Sequence, residues 1–243
     1  MIGVFDSGLG GLGVFRKIKL FLPYEDIYYY ADSANAPYGG KTKKQLQKLA
    51  LNAILKLEKA GCNIIVVACN TATTAGIDYF RKHSKAYIIG VVPVIKTAVK
   101  MTENNKIALL ATPFTVKSQY TANLIKKFAN NKKISKIACP TWVKAIENDK
   151  ITDKIITNCT QNIKDEDVVI LGCTHFSLIK GRIQRAVGPD KMVISSNDAV
   201  ARHVMRIGLK YKLLHKKPRQ PKYTFQCSGD KAIFKSQIKK YLK

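Results

Sequence analysis

Nine short apolar runs punctuate the chain, at residues 2–5, 27–31, 64–68, 87–92, 107–111, 136–138, 168–172, 192–194 and 223–226. Most stretches between them repeat apolar positions every three or four residues, the period of an amphipathic helix. The clearest helix is predicted to start at Thr42, where Gln45 completes a capping box. Its apolar face runs through Leu46, Leu49, Ala50, Ala53, Ile54, Leu57 and Ala60, and Gly61 supplies the stop. Strands apolar along their whole length, separated by helices, are parallel strands covered on both faces. The expected fold class is therefore α/β, with mostly parallel sheets in a three-layer arrangement.

The pattern also repeats itself. Ile64-Ile-Val-Val-Ala-Cys69-Asn-Thr and Val168-Val-Ile-Leu-Gly-Cys173-Thr-His share one shape: buried strand, cysteine, polar residues, then helix. Cys69 follows the strand-end Asp6 by 63 residues, and Cys173 follows the strand-end Thr112 by 61. Two pseudo-symmetric α/β units are the simplest reading. The expected boundaries put residues 1–93 and 208–243 in the first unit and 94–207 in the second. The last strand and helix return to the first unit through the loop containing Pro218 and Pro221.

Composition removes several classes. The chain has 243 residues, enough for one or two domains, and 46% of them are hydrophobic, enough to fill a core. No apolar run approaches the roughly 18 residues of a membrane span. The opening residues meet Asp6 with no basic leader, so no secretory signal is expected. Six cysteines in that context predict free thiols in a reducing cytoplasm. The net charge of +26 is unusual, yet only seven of the 42 basic residues are Arg, and the lysines are spread through every segment. Two windows lack acids altogether, 104–146 and 199–229. Nonspecific polyanion binding at low salt is expected, whereas no recognition motif makes nucleic-acid binding the primary function.

Candidate chemistry gathers at the strand ends. Gly8, Gly10 and Gly13 spell GxGxxG after a strand, and Asp32 ends the next strand, which on paper is a dinucleotide fingerprint. Asp6 and Ser7 intervene, and a carboxylate there repels a pyrophosphate, so the glycines read as residues for close backbone approach. Cys62, Cys139, Cys159 and Cys227 read as small buried hydrophobes. Cys69 and Cys173 differ, because each ends a strand and begins a helix. The helix N-terminus is expected to lower the thiol pKa from about 8.5 and supply thiolate near neutral pH. Zinc is the rival reading for Cys173-x-His175, but no second ligand pair stands at the usual spacing. His175, two residues past a candidate thiol, suits acid–base or substrate-orienting work. Glu147 closes the long acid-free window and is a further candidate.

Together these residues resemble a known family. Gly3-Val-Phe-Asp-Ser-Gly-Leu-Gly-Gly11, Asp32-Ser-Ala with Pro37-Tyr-Gly39, Ala68-Cys-Asn-Thr-Ala72, Thr115-Val-Lys-Ser118 and Leu171-Gly-Cys-Thr-His175 are similar to bacterial glutamate racemases, in order, over nearly the whole chain. The resemblance implies two pseudo-symmetric α/β domains with the site in the cleft between them. It implies inversion at the Cα of glutamate without any cofactor or metal, supplying D-glutamate for peptidoglycan, by a chain that forms a homodimer. Cys69 would deprotonate D-glutamate and Cys173 L-glutamate, with Asp6 assisting Cys69 and His175 and Glu147 assisting Cys173. Asp6, Ser7, Tyr38, Gly39, Asn70, Thr71, Thr112, Thr115, Thr174 and His175 would contact the substrate.

The pairing also stands on its own chemistry. Two bases on opposite faces of a carbon need only one thiol and one thiolate, which exchange roles at each turnover. Two facing thiolates repel, so the pair titrates as a unit holding one proton. With no pyridoxal or metal motif visible, fixed dipoles must stabilise the developing negative charge. The chain departs from the family pattern at Asn35, Ser177 and Ser196-Asn-Asp198, none of which removes a proton-transfer group. The alternatives are an aspartate or other amino-acid racemase of the same family, and a basic binding protein acting on DNA or gyrase.

Overall fold

The structure, a computed structural model, describes residues 1–242. It contains β1 (Ile2–Asp6), β2 (Ile27–Ala31), β3 (Ile64–Val67), β4 (Tyr87–Gly90), β5 (Lys106–Ala111), β6 (Lys133–Ala138), β7 (Val168–Leu171), β8 (Met192–Ser195) and β9 (Tyr223–Cys227). All nine lie where the apolar runs predict them, although β6 begins three residues early. The strands form two sheets, of order β4-β3-β1-β2-β9 and β6-β5-β7-β8, and every pairing is parallel. Both faces of β1, β3 and β7 are buried, as parallel strands between helix layers require. The edge strand β6 is more open and carries Lys133 and Lys136, charges that discourage pairing with another chain.

The helix Lys43–Lys59 forms for the expected reasons. Thr42 and Gln45 make the reciprocal capping box, and Gly61 adopts φ +90 after the last turn. Leu46, Ile54 and Leu57 are wholly buried beneath it, each contributing about 1.5–3 kcal/mol of apolar burial.

One expectation needs correction. The expected second unit runs to residue 207, but the helix Asn197–Lys210 packs on the first sheet. Its Val200, Ala201 and Val204 are buried with Ile2, Val4 and Phe15 in one core. The reason is the spacing of that apolar stripe, which faces the helix Leu12–Phe21, and the chain therefore leaves the second sheet right after β8.

In each sheet the chain runs to one side of a central strand and then to the other. The order reverses between β1 and β3 in the first sheet, and between β5 and β7 in the second. Such switch points open a crevice at the carboxyl ends of the strands, where ligands bind in open α/β sheets.

Candidate active site

Four strand ends flank these two crevices. Asp6 ends β1 and Cys69 follows β3, while Thr112 follows β5 and Cys173 follows β7. Cys69 and Cys173 thus occupy equivalent places in the two halves, each at 6% exposure. The loops at the carboxyl ends interlock across the boundary. Thr174 Oγ1 donates to Asp6 Oδ2 at 2.9 Å, the Thr71 and Thr112 hydroxyls lie 2.9 Å apart, and Leu9 N–H donates to Glu147 Oε1 at 2.7 Å. The Cys69 thiol feels the charge of Cys173, which places both sulfurs in one electrostatic neighbourhood.

The glycines serve close approach. A Cβ on Gly8 would lie 2.0 Å from Glu147 Oε1, and one on Gly10 would lie 2.4 Å from His175 Nδ1. The glycine-rich loop of the first half is therefore seated directly on the polar residues of the second. Asp6 also accepts from Gly8 N–H at 2.9 Å.

The two cysteines have unlike neighbours. Beside Cys173, His175 Nδ1 lies 4.0 Å from the sulfur, the reach of a weak sulfur hydrogen bond, and Nε2 lies 2.5 Å from Glu147 Oε1. Burial works against a charged imidazole, but the hydrogen bonds to Cys173 and Glu147 and the charges of Glu147 and Asp6 outweigh it. The His175 pKa is held well above 6.5, which favours the protonated ring beside the Cys173 sulfur. Beside Cys69 stands Asp6, wholly buried, whose carboxyl is pushed above its ordinary range by burial despite the His175 charge.

Here the expected effect of the helix N-terminus is overturned. Cys69 caps the helix Asn70–His83, yet its pKa is pushed up from 9.0 to about 12. Burial is the largest cause and the Asp6 charge the next; the Ala72 N–H and the Ser7 hydroxyl pull the other way and lose. Cys69 rests as a thiol.

The comparisons with known proteins now bear on this geometry. Residues 23–204 match the Asp/Glu/hydantoin racemase family. The chain belongs to that family. A glutamate racemase of Herpetosiphon aurantiacus is 35% identical to this racemase, covering 96% of this chain and 94% of its own. A glutamate racemase isoform from Bacillus anthracis superposes with a TM-score of 0.91 at 29% identity, covering 100% of this chain and 93% of that one. The Escherichia coli glutamate racemase, solved with L-glutamate and the activator UDP-MurNAc-Ala, gives 0.89 at 28% identity, covering 99% and 94%. The chain is an amino-acid racemase, an isomerase, and no helix among its described residues is long and apolar enough to cross a membrane.

The structure gathers Asp6, Ser7, Asn70, Thr71, Thr112, Thr174 and His175, all buried, around the two cysteines of the racemase. Asn70 Nδ2 donates to Val91 O at 3.3 Å, while its buried Oδ1 has no partner among the described residues. Thr115 lies one step back, accepting from the Thr112 hydroxyl at 3.1 Å. The Tyr38 hydroxyl donates to Asp32 Oδ2 at 2.6 Å and so pins its own loop, which brings Gly39 against Thr112. Glu147 also borders a cavity of about 330 Å³ between the loop around Pro37, Lys144 and the helix Lys231–Leu242. Sequence reasoning missed the Leu9 amide and Tyr29, whose hydroxyl donates to Gly8 O at 2.6 Å. A backbone amide leaves no trace in residue identity, and a tyrosine within an apolar strand reads as core.

Proposed function

We propose that this racemase interconverts L- and D-glutamate by moving a proton between Cys69, Cys173 and Cα, without a cofactor. One sulfur, as thiolate, takes the Cα proton from one face; the C–H electron pair stays on carbon, and the opposite thiol delivers its proton to the other face. The two sulfurs then have exchanged protonation states. By similarity, Cys173 takes the proton from L-glutamate and Cys69 from D-glutamate. Cys69, held as a thiol, is placed to deliver its proton in the L-to-D direction, with His175 beside Cys173 on the other side. Burial raises the Asp6 pKa, which makes its carboxylate a stronger base beside the Cys69 thiol and suits a group that relays that proton. Buried N–H and hydroxyl groups, with Asn70 Oδ1 open to the substrate ammonium, hold the amino acid and stabilise the carbanion-like centre.

The observation that carries this reading is the equivalent placement of two cysteines at two switch points, each with its own acid–base helper. Glutamate rests on the relatives, one of which was solved with it. The proposed role is supply of D-glutamate for peptidoglycan, by a homodimer in a reducing compartment where all six thiols stay free. The test is racemisation of glutamate and aspartate followed by circular dichroism in D₂O without added cofactor, with Cα deuterium read by NMR. Glutamate should racemise faster and take up deuterium, and Cys69→Ala and Cys173→Ala should each lose more than the ~10⁴ of a typical acid–base group. Faster aspartate turnover would move the substrate assignment, and either alanine variant retaining activity would end the two-base mechanism.

A further inference from the structure

Tyr29 lies on β2, wholly buried, and no step described so far uses it. Its ring is held by Phe15, Phe225 and Phe234, with centroids 6.4, 6.0 and 6.2 Å away. Packing thus accounts for the ring but not for the hydroxyl. That hydroxyl donates to the Gly8 carbonyl at 2.6 Å, and the Gly11 N–H approaches the phenol oxygen. Burial pushes the phenol well above 10, so it stays protonated as a donor must.

The carbonyl it holds belongs to a junction between the two helpers. Gly8 N–H donates to Asp6 Oδ1 at 2.9 Å, and the next N–H, of Leu9, donates to Glu147 Oε1 at 2.7 Å. Asp6 serves the Cys69 side; Glu147, through His175, serves the Cys173 side. Resting on the two-cysteine reading, we propose that Tyr29 is a positioning residue for both half-reactions, fixing through the Gly8 carbonyl the two amides that orient Asp6 and Glu147. Removing its hydroxyl leaves a buried carbonyl without a partner; the Leu9 N–H shares that peptide plane and turns with it, and the Gly8 N–H, on the adjoining peptide, is displaced as the Cα between them shifts. Both helpers shift at once, although Tyr29 touches neither substrate nor sulfur.

The experiment is steady-state racemisation in both directions by the full-length Tyr29→Phe protein, with Phe15→Leu as a control that loosens the same ring cluster and leaves the hydroxyl chain alone. Tyr29→Phe should fold and lose about 10- to 100-fold in kcat in both directions, the scale of a sub-ångström misplacement, with KM changed less than about threefold. A kcat within about twofold of wild type, a change confined to KM, or an equal kcat loss in Phe15→Leu would overturn the assignment. Wild-type protein that fails to exchange the Cα proton refutes the two-cysteine reading instead, so the two failures are distinguishable. Should Tyr29→Phe not fold, amide exchange in the wild type decides. Gly8 and Leu9 amides as protected as the core strands support the positioning role, and exchange at loop rates overturns it.

Discussion

Alkylation of Cys69 should lag far behind that of an ordinary thiol at neutral pH and should keep rising with pH long after an ordinary thiol has levelled off. Burial and the Asp6 carboxylate carry its pKa from 9.0 to about 12. That is a thousandfold reduction in thiolate at any pH below the ordinary value, or ~4 kcal/mol in favour of the protonated form. The assay is a pH series of brief iodoacetamide pulses on the native protein, quenched and mapped by peptide mass spectrometry. Restricted access slows labelling equally at every pH, so the pH at which the rate levels off carries the test. Cys62, pushed to about 11 chiefly by burial and lacking a carboxylate cause, is the internal comparison. Asp6→Asn removes the second-largest cause and should speed Cys69 labelling at mildly alkaline pH by roughly tenfold, the effect of one nearby like charge. The stability consequence has a definite sign. Between 9.0 and about 12 the native state keeps a proton that the unfolded chain releases, so stability falls as pH rises through that window. A Cys69 rate that levels off at the ordinary thiol value, or an Asp6→Asn protein that labels more slowly, refutes the electrostatic account.

Three further substitutions test contacts within the site and one position away from it. Gly8→Ala drives a methyl group into Glu147 and should cost activity on the order of 100-fold, whereas Gly181→Ala, with nothing within 4 Å on an exposed helix, should leave kinetics unchanged and stabilise by ~0.4–1 kcal/mol in thermal melts. Glu147→Gln removes the charge that helps hold His175 protonated, and should destabilise by about 3 kcal/mol where that pair is fully charged. Because the native His175 pKa lies above its unfolded value of 6.5, the deficit should be greatest below 6.5 and shrink as pH rises through the native value, as read by urea denaturation across pH.

Local patterns carried much of the fold. The capping box at Thr42 and Gln45, the nine apolar runs and the two strand-end cysteines are all short-range signals, and each appears in the structure at its expected place. What sequence left unread is long-range. Asp6 meets Thr174 across 168 residues and Leu9 meets Glu147 across 138, and no periodicity encodes such pairings. The helix Asn197–Lys210 illustrates the same limit, since its apolar stripe is visible but the sheet it covers is not. The reversed sign of the Cys69 shift has a like origin. Helix position is a local fact and favours thiolate, while burial and the approach of Asp6 arise only once the chain is folded.

The unlike surroundings of Cys69 and Cys173 obey a constraint from outside the protein. Mirror-image amino acids have identical free energies in water, so the equilibrium between them stands at unity whatever the catalyst. The Haldane relation then makes kcat/KM the same from either enantiomer, even with an aspartate on one flank and a histidine–glutamate pair on the other. Asymmetry can appear only as a matched change in turnover and saturation, with the hand that binds more weakly turning over faster. The lopsided flanks therefore set which enantiomer accumulates on the enzyme, never which one accumulates in solution.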